Sequence, residues 1–109
     1  MPHYLIQGSY TAEAWARLMK SPEDRAETVR PMIDSLGGQL ECMYFAFGEH
    51  DIVAVWSAPD NTSAAALAVA VASSGSFSTF KTTVLMTSKE AQGVMAKAAT
   101  IGYRPPGSS

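Results

Sequence analysis

Two apolar runs, QLECMYFAF at 39–47 and DIVAVWSA at 51–58, are separated only by Gly48, Glu49 and His50. A crossover to a parallel neighbour needs a dozen residues or more, so a three-residue link containing glycine forces an antiparallel hairpin. Everything else in the chain has to be arranged around that hairpin. HYLIQGSY at 3–10 and FSTFKTTVLMT at 77–87 carry the β-branched and aromatic residues of two further strands.

Helical patterns fill the gaps between the strands. Thr11 can cap a segment in which Trp15, Leu18 and Met19 recur at helical spacing. SPED at 21–24 reads as a second start, with Ser21 as cap, Pro22 in the first turn, and Glu23 and Asp24 facing the positive end of the helix dipole. Ala26, Val29, Ile33 and Leu36 then form one apolar stripe, which Gly37-Gly38 ends. Asp60 or Asn61 opens another helix, and Gly75 closes it. A last amphipathic helix starts near Ser88 and carries Ala91, Val94, Met95, Ala98 and Ala99 on one side. The order β-α-β-β-α-β plus a C-terminal helix predicts a ferredoxin-like α+β sandwich, with both main helices on one face of a four-stranded antiparallel sheet. Residues 1–101 form its single domain, and GYRPPGSS at 102–109 reads as a flexible tail.

Alternation along strands assigns faces. Tyr4 and Ile6, then Ile52, Ala54 and Trp56, then Phe80, Val84 and Met86 fall on the parity that should meet the helices. The other parity holds Leu5 and Gln7, Val53, Val55 and Ser57, Lys81 and Leu85, with Met43, Phe45 and Phe47 from the second strand, whose two parities are both apolar or aromatic. A sheet face open to water would be more cleanly polar. With 47% hydrophobic and only 17% charged residues, the chain has apolar surface to spare. Two such faces packed together predict a homodimer, or an assembly of dimers, with a closed, barrel-like interior. Its mixed lining suits a small apolar or aromatic molecule. By parity Gln7, Phe45, Phe47, Ser57 and Lys81 line that interior, with His50 and Asp51 at its mouth.

Glu49-His50-Asp51 supports two readings. One is a solvated turn, with Asp51 tying down backbone donors of the turn. The other makes His50 a proton acceptor or ligand contact oriented by Asp51, because imidazole titrates near neutrality. Lys81 and Gln7 fall mid-strand on neighbouring strands; a buried lysine there needs Asp51, Glu41 or a bound anion, and an interface salt bridge is the plain account. Tyr4, Tyr44 and Trp56 read as core aromatics, and Cys42 as a buried, unreactive thiol.

Several function classes lose their basis. Net charge is −2 without a Lys/Arg run, so no nucleic-acid or anionic-lipid partner is expected. His3 and His50 are far apart and no C-x-x-C or H-x-x-x-H spacing exists, so no metal is expected. Nucleophile elbow, phosphate loop and dinucleotide fingerprint are missing, and no cofactor is expected. The N-terminus lacks a secretory pattern and AAALAVAVA at 64–72 is about half a membrane span, which points to a cytoplasmic protein that does not enter the membrane.

YLIQGSYT at 4–11, the P-x-x-R from Pro22 to Arg25, LGG at 36–38, YFAFG at 44–48 and APD at 58–60 together resemble the GYD domain family over about residues 3–87. The resemblance implies a ferredoxin-like fold of the dimeric α/β-barrel type in small bacterial cytosolic proteins, and it specifies no activity. The family's Gly-x-Tyr-Asp-like turn reads Gly48-Glu49-His50-Asp51 here, with His50 standing where the tyrosine would be. Two functions follow as expectations: a homo-oligomeric domain binding a small apolar or aromatic molecule between its sheets, or a cofactor-independent enzyme of the monooxygenase or isomerase kind.

Overall fold

The computed structural model describes residues 1–107; the last two residues of the tail expected at 102–109 lie outside the described residues. The chain runs β1 (His3–Tyr10), α1 (Ala12–Lys20), α2 (Arg25–Ser35), β2 (Gln39–Phe45), β3 (Ile52–Ser57), α3 (Asn61–Ala72), β4 (Phe77–Leu85) and α4 (Ser88–Ala98). The strands form one antiparallel sheet in the order β2-β3-β1-β4. This is the α+β ferredoxin-like topology that the strand and helix order predicts.

The core forms between the helices and one sheet face. Tyr4, Ile6, Ala54, Trp56 and Leu40 supply the sheet side, and Ile33, Ala64 and Leu67 supply the helices. Trp56 and Tyr4, 0% and 1% exposed, are the core aromatics that alternation predicts. Burying such side chains contributes about 1.5–3 kcal/mol each, which makes this layer the chief source of the domain's stability.

Helix starts follow local chemistry, with one correction. Thr11 caps α1 by accepting from the Ala14 amide, and Asp60 caps α3 by accepting from Ser63. α2, however, begins at Arg25, not at Pro22. The Asp24 carboxylate accepts from the Ala26 and Glu27 amides, which makes Asp24 the cap. Ser21, which precedes a proline, is held extended (φ −140°, ψ 78°) and terminates α1.

A second correction concerns β2. Leu40 pairs with Trp56, but Cys42 pairs with Val55, so Glu41 is an extra residue that shifts the register. A one-residue bulge exchanges the faces of all that follows. Met43 and Phe45 therefore join the helix face, opposite Ala54 and Ile52, while Cys42 and Tyr44 join Val55 and Val53 on the open face. Tyr44 is 67% exposed and not a core residue, and Cys42 is only half-buried.

Gly37 leaves α2 with φ +76°, a conformation that favours glycine. At Gly38 the constraint is space: an added Cβ would run into the Ser57 carbonyl oxygen and lie 3.0 Å from the Trp56 ring. Gly38→Ala is expected to destabilise the domain by about 3 kcal/mol, because backbone and a buried indole must both move. Urea unfolding measures this, and an unchanged midpoint would contradict it.

α4 makes almost no contact with the other elements and buries none of its residues. Its stripe is in place but uncovered, with Val94 and Met95 exposed. The described chain is accordingly elongated, with a radius of gyration of 17.7 Å, against about 13 Å for a compact chain of this length.

Candidate functional site

Three places bring chemistry-bearing residues together: the β2–β3 connection, the open sheet face and the space between the helices.

At the connection, Asp51 sits just before β3 and leaves the open-face set. Its Oδ2 accepts from the Tyr10 amide at 2.9 Å and from Trp15 Nε1 at 3.3 Å. Its own amide donates to the Gly8 carbonyl at 2.8 Å, and its carbonyl accepts from Ala46 N at 2.8 Å. Asp51 thus fastens the β2–β3 connection to the end of β1 and the start of α1. The donors are not those of its own turn, and the side chain does not reach the mouth of a sheet interior. Phe45 belongs to the same knot, its ring centroid 6.2 Å from that of Tyr10 and 6.1 Å from that of Trp15. Phe47 lies in the connection and is 99% exposed, so it lines nothing within this chain. His50 is half-buried, and its Nδ1 is buried without a hydrogen-bond partner among the described residues. The oriented His50–Asp51 pair is therefore not formed, since both bonds to Oδ2 come from Tyr10 and Trp15.

On the open face the register aligns Lys81, Gln7, Val53 and Tyr44 in one cross-strand row. The next row holds Thr83, Leu5, Val55 and Cys42, and the one beyond it Leu85, His3, Ser57 and Gln39. Gln7 and Lys81 are neighbours, as expected. Lys81 is exposed and Ser57 is buried. Glu41, the bulge residue, accepts a hydrogen bond from His3 Nδ1 at 2.7 Å, so its partner is His3 and not Lys81. Among the described residues, the buried helix side chains, Ile33, Ala64 and Leu67, pack on the opposite face of the sheet.

A further cavity is on the other side of the sheet. A cleft of about 430 Å³ opens between α1, α2 and α3. Its floor is Tyr10 and Phe77, whose rings stack with centroids 4.6 Å apart, and its apolar wall includes Leu18, Leu67 and Val71. A smaller cavity of about 90 Å³ continues from it toward Ile6 and Ala54. Arg17, Glu23 and Arg25 stand at the rim. Burial pushes the Tyr10 hydroxyl above its ordinary pKa, and the adjacent Arg25 guanidinium partly offsets this. Glu23 pairs with Arg25 at 3.2 Å, and the hydrogen bond from the Thr28 hydroxyl, together with that pair, holds its carboxyl below the usual range. Sequence reading does not find this cleft, because Arg17, Arg25 and Phe77 share no motif and meet only through the spacing of three helices.

Among the described residues there is no cluster of three or more His, Cys, Asp or Glu side chains able to hold a metal, and no helix is long and apolar enough to cross a membrane. A family model described as GYD domain matches residues 4–95, most of the chain. No curated protein and no solved structure matches significantly.

Proposed function

We propose a function from a plain premise: the chain belongs to the GYD domain family, and among the described residues the buried helix side chains pack on one face of its sheet, leaving the other for a partner. The protein is a homo-oligomeric binding domain that takes a small apolar or aromatic molecule between two such faces. The observation that carries this reading is the register. Leu5, Val53 and Val55 form a continuous apolar centre, flanked by Gln7 and Lys81 on one side and by Tyr44 and Cys42 on the other. An apolar surface with a few placed polar groups is the composition of a ligand site once a second surface encloses it. Gln7 can donate and accept, and Lys81 can only donate, which suits a neutral ring carrying a hydroxyl.

The enzyme alternative loses its specific support. Its one specific element is His50 oriented by Asp51, and the Asp51 carboxylate is committed to Tyr10 and Trp15. Binding without turnover is the reading that remains supported.

A melting series with neutral phenols, 4-methylphenol and 2-naphthol, tests this on the intact protein. At least one compound is expected to raise the melting temperature by several degrees, as saturation at about a hundred times Kd stabilises by about 2.7 kcal/mol. Lys81→Met and Gln7→Leu should each remove most of that rise. A rise that survives both changes places the ligand elsewhere, and no rise from any phenol removes the reading.

A further inference from the structure

We propose that the cleft between α1, α2 and α3 is a second binding site, separate from the sheet face, for a small molecule with an aromatic or branched apolar body and a single carboxylate. The body is dictated by the floor and walls. Tyr10 and Phe77 present a stacked aromatic floor, Leu67 and Val71 line one side, and the volume of about 430 Å³ accommodates two fused rings with room for a side arm.

The carboxylate follows from charge and unspent donors. Three charged side chains line the cleft: Arg17, Arg25 and Glu23. Glu23 balances Arg25 through their ion pair. Arg17 remains, and its recorded bond is a long one, 3.4 Å from a guanidinium nitrogen to Ser76 Oγ. One positive charge is thus left over at the mouth of an apolar pocket. Guanidinium is weakly hydrated and matches a carboxylate with two parallel donors, so a monoanion is favoured over a neutral or a doubly charged ligand. The Tyr10 and Ser21 hydroxyls add further hydrogen-bonding groups along the lining, whereas the Ser74 hydroxyl is already committed to the Val71 carbonyl. The sheet-face reading contributes nothing to this inference; each site can fail without the other.

The test compares 2-naphthylacetate with 2-naphthylacetamide, which has the same body without the charge, by titration calorimetry and by amide shifts of the labelled intact protein. The acid is expected to bind with a submillimolar Kd, at least tenfold more tightly than the amide. Its shift changes should centre on Ala14, Val71 and Phe77, leaving Gln7 and Lys81 unmoved. Arg17→Met, at an exposed position, should weaken the acid at least tenfold and leave the amide unchanged. Equal binding of acid and amide, an acid affinity indifferent to Arg17→Met, shifts centred on Gln7 and Lys81, or no acid binding at 5 mM would each overturn the proposal.

Discussion

Asp51→Ala is expected to lower the stability of the domain by about 3 kcal/mol, while His50→Gln should change it by less than about 0.5 kcal/mol. The difference lies in what each side chain holds. Asp51 Oδ2 receives the Tyr10 amide and the Trp15 indole N–H, and hydrogen bonds to an ionised acceptor contribute about 1.5–3 kcal/mol each. Removing the carboxylate also strands the Tyr10 amide, on a residue that is itself buried, with a desolvation cost of about 1–3 kcal/mol unless water enters. His50 Nδ1, by contrast, has no partner to lose. Asp51→Asn keeps one acceptor oxygen and should recover part of the loss. In thermal melts the alanine variant should fall by more than about 10 °C, given about 4–8 °C per kcal/mol for a domain near this size. Near-ultraviolet circular dichroism should report the released Trp15. If His50→Gln is as damaging as Asp51→Ala, the imidazole holds structure through a contact other than Nδ1.

The contrast between these neighbours shows where sequence reading reaches its limit. The hairpin and the caps at Thr11 and Asp60 are local: each is decided by residues within a few positions, and each is readable. Asp51 reads as important for the right reason, a carboxylate tying down backbone, but its donors are 41 and 36 positions away. Counting parity from Asp51 also fails because it stands one residue before β3 and is not bound by strand alternation. The bulge at Glu41 is less visible still. No glycine or proline marks it, and its side chain looks like any exposed acid until His3 arrives from β1 at 2.7 Å. One inserted residue then moves Phe45 from the expected ligand set to the Tyr10–Trp15 knot, and moves Tyr44 the other way. SPED reads as a start capped by Ser21, but Asp24 is the cap because its carboxylate reaches two amides.

The second large effect concerns association. Val53→Glu is expected to convert a dimer into a folded monomer at 10 µM. Val53 lies at the centre of the open face, between Gln7 on β1 and Tyr44 on β2, and its neighbours Leu5 and Val55 are aliphatic. These side chains are already half-buried, so enclosing each contributes about half of the 1.5–3 kcal/mol of full burial, and a pairing that covers Leu5, Val53, Val55 and Leu85 on both copies still recovers several kcal/mol against the entropy of association. α4 points the same way: an 11-residue helix with a capping box but no buried residue is shorter than the ~12–15 residues at which an isolated helix becomes even marginally stable in water. A glutamate at position 53 would bring a charge into the apolar interface, with Lys81 of its own row two strands away across Gln7, and should weaken the dimer by about three orders of magnitude at about 1.4 kcal/mol per tenfold. Phe45→Ala provides the contrast. If the bulge sets the faces, this change loosens the Tyr10–Trp15 knot and costs about 1–2 kcal/mol of monomer stability, leaving the association constant unchanged. If alternation ran unbroken through β2, Phe45→Ala would instead weaken the dimer and spare the monomer. Sedimentation velocity of the three proteins, with urea unfolding alongside, separates these outcomes; a wild-type chain that sediments as a monomer at 10 µM would leave the apolar face of Leu5, Val53 and Val55 without the partner argued for it.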